Sequence, residues 1–201
     1  MSDKKYSVTF RNETSNFGNV CIYQANPYLG YDVMSLAWFV KPTHPTTEVT
    51  FTWDVNYGFI WDETGEIVPG VIFNAAQVWA ADLEQNNKVT FSMVNNAYTF
   101  SDLSKGSVAG ALEIYEDSTI PIYRASVGIA MSGAGIFVKQ ARPNMNLLFK
   151  PNPEYWITFG NFEPGEILNI SEITNAQRIE FNPGVFSVNV TLNMDYTWSI
   201  T

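Results

Sequence analysis

Covalent and acid–base chemistry needs nucleophiles, imidazoles or clustered carboxylates, and this chain offers few of the first two. Its one histidine, His44, lies in KPTHPTT between two prolines, and its one cysteine, Cys21, lies in VCIY. A Ser–His–Asp or Cys–His arrangement would have to be built on that single imidazole. A zinc site of Cys and His ligands fails on counting. His44 reads as an exposed turn residue and Cys21 as a small buried hydrophobe. Gly128, Gly133 and Gly135, in VGIAMSGAGIF, lack the Lys and hydroxyl of a phosphate loop and read as a glycine-relaxed β-turn. Ser132 has Ala130 and Ala134 where a nucleophile elbow needs glycines.

Carboxylates are better supplied. WDETGE sets Asp62, Glu63 and Glu66 in one loop, and FEPGE sets Glu163 and Glu166 in another. Calcium draws roughly six to eight oxygens from such loops, and Asp62, Glu63 and Glu66 could supply several. Paired acids could also serve glycoside hydrolysis. The alternating aspartates of a calcium loop are missing, so a solvated acidic turn is the plain reading. The aromatics suggest sugar binding, in which a ring stacks on an apolar sugar face while acids and amides bond the hydroxyls. Trp61 with Asp62, or Tyr57 with Asn56, has the right chemistry. Their spacing, however, puts Trp53, Tyr57 and Trp61 on one face, which reads as core. Trp79, in NAAQVWAAD, has no such assignment and is the tryptophan expected at the surface. The candidate ligand-binding residues are therefore Trp79, Asp62, Glu63, Glu66, Glu163 and Glu166, with no catalytic residue and no cofactor beyond a possible calcium.

These residues must be held by the rest of the chain. It has 201 residues, 46% hydrophobic, 15% aromatic and 15% charged, which is ample for a sizeable core. The net charge is −9, and from Pro42 to Asn87 there are seven acids and no Lys or Arg. That field repels phosphate backbones and anionic lipid, which argues against nucleic acid and membranes as partners. MSDKKYSVTF has no apolar run behind its lysines, so no signal peptide is expected and the location reads as cytoplasmic or non-classically exported. Glycosylation-type triplets at Asn12, Asn169 and Asn189 read as chance in so Asn-rich a chain.

Period-two alternation dominates. In VTFTWDVNYGFIW, Val49 to Trp61, every odd position is apolar. In FSVNVTLNMDYTWSIT, Phe186 to Thr201, every even position is apolar and every odd one polar. Such a rhythm fits strands with one face inward and cannot sit on a helix. Both runs are expected as long strands that bend, the first at Gly58, rather than as strands broken by a turn. Shorter strands are expected at 6–11, 20–24, 36–40, 71–73, 89–94, 107–115, 122–130, 136–139, 147–149, 155–159 and 179–181. The only short helix expected covers Asn74–Leu83. The outward faces carry Thr, Asn and Ser, and the C-terminal strand could pair with another subunit by edge addition.

Short segments recur in order: QANP and QARP, WFVKPTHP and LLFKPNP, GEIV and GEIL, NAAQ and TNAQ, VTFSM and VTLNM. The fold expected is therefore all-β, an antiparallel β-sandwich built from two diverged internal repeats with pseudo-twofold symmetry. It forms a single domain, with one repeat over about 6–100, a connection over 101–121 and the second repeat over about 123–201. Each unit has one apolar face that needs the other as cover.

The stretch SLAWFVKPTHPTTEVTFTWDVNYGFIWDETGEIVPGV, Ser35 to Val71, resembles the RhiA family, proteins that rhizobia express in the rhizosphere under quorum-sensing control. The resemblance brings no catalytic motif. It implies a bacterial protein of a plant-associated community. The functional expectation is a non-enzymatic binding or interaction protein, with self-association and a protein or carbohydrate partner open. The alternative is a lectin-like carbohydrate binder, with or without calcium.

Overall fold

The computed structural model describes residues 5–26, 30, 32–152 and 154–201. Among these there is no α-helix. The 17 strands form three sheets. One four-stranded sheet runs β17 (Trp198–Ile200), β16 (Ser187–Leu192), β1 (Tyr6–Asn12) and β4 (Glu48–Trp53). The other runs β12 (Met145–Phe149), β9 (Leu112–Glu116), β7 (Lys88–Val94) and β8 (Ala97–Ser104). The third sheet has nine strands, which interleave in sequence with those of the other two. Its path is β15 (Ala176–Ile179), β13 (Glu154–Gly160), β2 (Gly18–Ala25), β3 (Val33–Thr43), β11 (Ala134–Gln140), β10 (Ser126–Met131), β5 (Tyr57–Asp62) and β6 (Gln77–Ala81). The two-residue β14 (Ile167–Leu168) pairs with β3 off that path. Among the described residues, only β1–β16 and β7–β9 are parallel.

Alternation explains the layering. Inward residues of both small sheets, such as Phe10, Phe51, Trp53, Phe91 and Leu112, meet one face of the large sheet in a single cluster with Ile22, Trp38, Phe59 and Ile129. Trp38 meets Trp53 at 5.3 Å and Trp61 meets Phe91 at 5.9 Å, so aromatic rings fill the gap between layers. Burial of each such side chain stabilises the fold by about 1.5–3 kcal/mol. On the opposite face of the large sheet, Cys21, Tyr23 and Ala37 pack with Leu168, and Ile60 and Val138 pack with Phe73 and Ile167. Two flaps supply that second cover: residues 63–76 between β5 and β6, and residues 161–175 between β13 and β15.

Both long runs are broken, not bent. The first stops at Trp53 and resumes at Tyr57, passing from a small sheet to the large one. Three extended residues span roughly 10 Å, the usual distance between packed sheets, so Asp54–Asn56 suffice for the crossing. Ser132 fixes this corner: its hydroxyl accepts the Asp54 N–H at 3.3 Å and its own N–H donates to the Asn56 carbonyl at 2.9 Å. Gly58 lies within β5 and is not the corner. The C-terminal run folds back as a hairpin, with Leu192 opposite Trp198 and Val190 opposite Ile200. Its turn carries Tyr196 at φ 64°. Because residues of equal parity pair across it, Trp198 returns beside Leu192 and packs on the core, while Met194, Tyr196 and Ile200 stand exposed. β16 thus lies inside its sheet, whose edges are the three-residue β17 and, on the far side, β4.

Asn74–Leu83, expected as a helix, contains strand β6, whose residues pair with β5. Residues 71–73 contribute only the bridge Ile72–Glu166. The connection expected over 101–121 contains the end of β8 and all of β9. Asn95 and Asn96, with φ 52° and 62°, turn β7 into β8. Ser132 and Gly133, with φ 50° and 79°, turn β10 into β11. No helix of the described residues is long and apolar enough to cross a membrane.

Candidate functional site

The expected residues separate into two places. Asp62 ends β5, and its carboxylate accepts the N–H of Glu63 at 2.8 Å, the N–H of Asn74 at 3.1 Å and the Thr64 hydroxyl. It ties the start of the first flap to its end. Glu63 and Glu66 stand exposed on that flap. Among the described residues no three of His, Cys, Asp and Glu come together where they could hold a metal ion, so Asp62, Glu63 and Glu66 do not converge. Trp79 is half-buried on β6, with its ring 5.9 Å from Phe100, and so is not the free surface ring expected.

The second acidic turn is different. Glu163 and Glu166 face each other across one turn: the Glu166 carboxylate accepts the Glu163 N–H at 2.9 Å, and the Glu166 N–H donates to the Glu163 carbonyl at 3.1 Å. The backbone of Glu166 is drawn into the sheet, accepting the Ala37 N–H at 2.8 Å. Glu163 is exposed and Glu166 half-buried, at the mouth of a cavity of about 480 Å³. Its apolar lining is Pro69, Phe159, Phe162, Ile167, Leu168 and Ile173. Its polar lining includes Glu166, Glu172, Asn169, Thr174 and Asn175. Thr158, at the base, donates its hydroxyl to the Asn175 carbonyl at 2.9 Å and fixes the flap's return. Beneath lies Cys21, fully buried; burial pushes its thiol pKa far up, and the Glu166 charge adds to that.

A neighbouring cavity of about 390 Å³, lined by Asn26, Met34, Ser35 and Phe137, shares Leu168 and Asn169 with the first. Both therefore lie along the second flap. The volumes suit small ligands, and an apolar lining with a few polar groups is the usual make-up of a binding cleft. His44 takes no part: it is exposed, with its ring 4.7 Å from that of Phe17.

Phe159, Phe162, Asn169, Glu172 and Asn175 were not legible as site residues. The available signal was the length of FEPGEILNISEITN, too long for a turn and without rhythm. Glu116 was missed as well. It is fully buried on β9, its carboxylate accepts the Arg142 N–H at 3.3 Å, and its other oxygen has no hydrogen-bond partner.

The chain is thus an all-β, sandwich-like protein with two flaps on its large sheet and a cavity along the second. It belongs to the RhiA family, whose sequence model matches residues 3–201. Protein RhiA of Rhizobium leguminosarum bv. viciae is 36% identical to it over 199 residues, which covers 98% of this chain and 86% of that protein. No solved structure matches the chain.

Proposed function

We propose that this protein is a non-enzymatic binding protein and that its ligand occupies the cavity under the second flap. The observation that carries this reading is the cavity's mixed lining, which holds the apolar Phe159, Phe162 and Ile173 together with the polar Glu166, Glu172 and Asn169. The absence of enzymatic activity is supported by the sealing of Cys21 in the core and by the position of His44 at the surface, outside the cavity lining. The carboxylates and the net charge of −9 disfavour anions. A neutral or cationic polyhydroxylated molecule fits: its apolar face lies on Phe162 while its hydroxyls or amine meet Glu166, Glu172 and Asn169. This supports a carbohydrate, and among carbohydrates an amino sugar. The rhizobial relative is consistent with a plant-associated setting. Amide shifts of the labelled protein, titrated with glucose, glucosamine and glucuronate, test it. The first two should shift residues 158–175, glucosamine more strongly, and glucuronate should not. No shift with any of the three, or shifts confined to other residues, would overturn the sugar reading.

A further inference from the structure

We infer that the cavity is the opened counterpart of a flap that is closed in the first half of the chain, and that Gly160 is the residue that keeps it open. The argument starts from strand pairing. β1 pairs with β16 in parallel and with β4 in antiparallel fashion; β9 pairs with β7 and β12 in the same two senses. Read from its two ends, the large sheet gives β15-β13-β2-β3 and β6-β5-β10-β11. The register shift between Ile22 and Tyr23 in β2 has its partner between Ile129 and Ala130 in β10. One spacing then lays Phe39-Val40-Lys41 on Phe137-Val138-Lys139, Pro45 on Pro143, Phe51 on Phe149 and Tyr57 on Tyr155. Thr46 and Asn144, equivalent in this scheme, both adopt positive φ, 63° and 59°.

The flaps begin alike. The Ser126 hydroxyl donates to the Thr64 carbonyl at 2.6 Å, and at the equivalent positions the Asn19 amide donates to the Phe162 carbonyl at 2.8 Å. Asp62 pairs with Ser126 and Gly160 with Asn19, so Gly160 stands where the first half has Asp62. There the likeness ends. The Asp62 carboxylate reaches across its flap to the Asn74 N–H at 3.1 Å, whereas glycine has nothing to send across. Glu172, the counterpart of Asn74 at the same spacing, lines the cavity. The missing clamp and the open space coincide.

The test is the exchange of Gly160 for the residue at its counterpart. Gly160 is not at positive φ, and a Cβ there would come no closer than 3.1 Å, to the ring edge of Phe162, so Asp can be placed. G160D should slow hydrogen exchange of residues 169–175 about tenfold, the effect of one ordinary hydrogen bond. G160A, which adds the carbon without the carboxylate, should leave exchange unchanged. D62G should speed exchange of residues 63–76 about tenfold. Unchanged exchange at 169–175 in G160D would overturn the inference. If G160D does not fold, D62G decides alone, and unchanged exchange at 63–76 would overturn it. The inference rests on the cavity being the binding site, but exchange is read without ligand. If wild type binds glucosamine, G160D should lose at least about tenfold in affinity; retained affinity would overturn the role of Gly160. If wild type binds none of the sugars, the sugar reading falls while the exchange result still judges the flap.

Discussion

Glu116 offers a prediction whose size can be worked from the structure. Its carboxyl is fully buried on the inner face of a small sheet, in register with Phe91 on one side and Met145 on the other. Burial pushes its pKa up to about 7 from 4.5; the Arg142 N–H and the charges of Lys139 and Arg142 only partly oppose this. Because the folded pKa is raised, the native state holds its proton longer than the unfolded chain does. Stability from this group is therefore full below about pH 4.5 and is lost as pH rises through about 7. At about 1.4 kcal/mol per pH unit, the loss is roughly 3 kcal/mol by pH 8. Glu116→Gln removes the titration. Its carboxamide oxygen can still accept the Arg142 N–H, but its NH₂ lacks a partner, which costs about 1–2 kcal/mol. The net expectation is a variant about 1 kcal/mol more stable than wild type at pH 8 and no more stable at pH 5. Urea midpoints by tryptophan fluorescence, measured for both proteins from pH 5 to pH 8, read the difference directly. Other carboxylates cancel in the comparison. Parallel pH profiles would refute the argument, because Glu116 would then not be changing ionisation with folding.

Four further outcomes follow from other parts of the fold. Truncation before Phe186 removes a strand from inside a sheet, so circular dichroism should show loss of the folded spectrum and not a trimmed native one. A side-chain carbon at Gly128 would land on the carbonyl oxygen of Phe137; G128A should lower stability by about 2 kcal/mol or more in thermal melts, as overpacking does. Thr158→Val should cost about 1 kcal/mol and speed exchange around Asn175, since it deletes the bond that holds the flap's return. Cys21 is buried with its thiol pKa raised, so a thiol reagent should label it only in denaturant.

The fold class was open to reading because parity is a local property: Phe51, Trp53, Phe59 and Trp61 had to share a face, and all are buried. Where strands end is not written in parity. A crossing of three residues at Asp54–Asn56, and a turn pairing residues of equal parity at 193–197, both leave the rhythm untouched. Trp79 shows a different limit. NAAQVWAAD has alanines enough for a helix, yet pairing with β5 across Phe59–Trp79 overrides that propensity. The repeat motifs misled locally as well. Gln24 of QANP lies at the end of β2 whereas Gln140 of QARP closes β11, and WFVKP lies on β3 whereas the LLF of LLFKP closes β12. Of the acids, Glu166 was visible as chemistry, but the cavity beside it is made by a flap that packs across the sheet, and no spacing along the chain encodes that approach.

The central claim is that the space between β13 and the 161–175 flap receives a ligand. The most direct measurement is the amide spectrum of the labelled full chain during titration with glucosamine. The account predicts saturable shifts that centre on Thr158, Phe162, Glu166, Asn169 and Asn175 and that G160D abolishes. Shifts that centre on the exposed Glu63 and Glu66 of the first flap, or a spectrum that does not move, would contradict it.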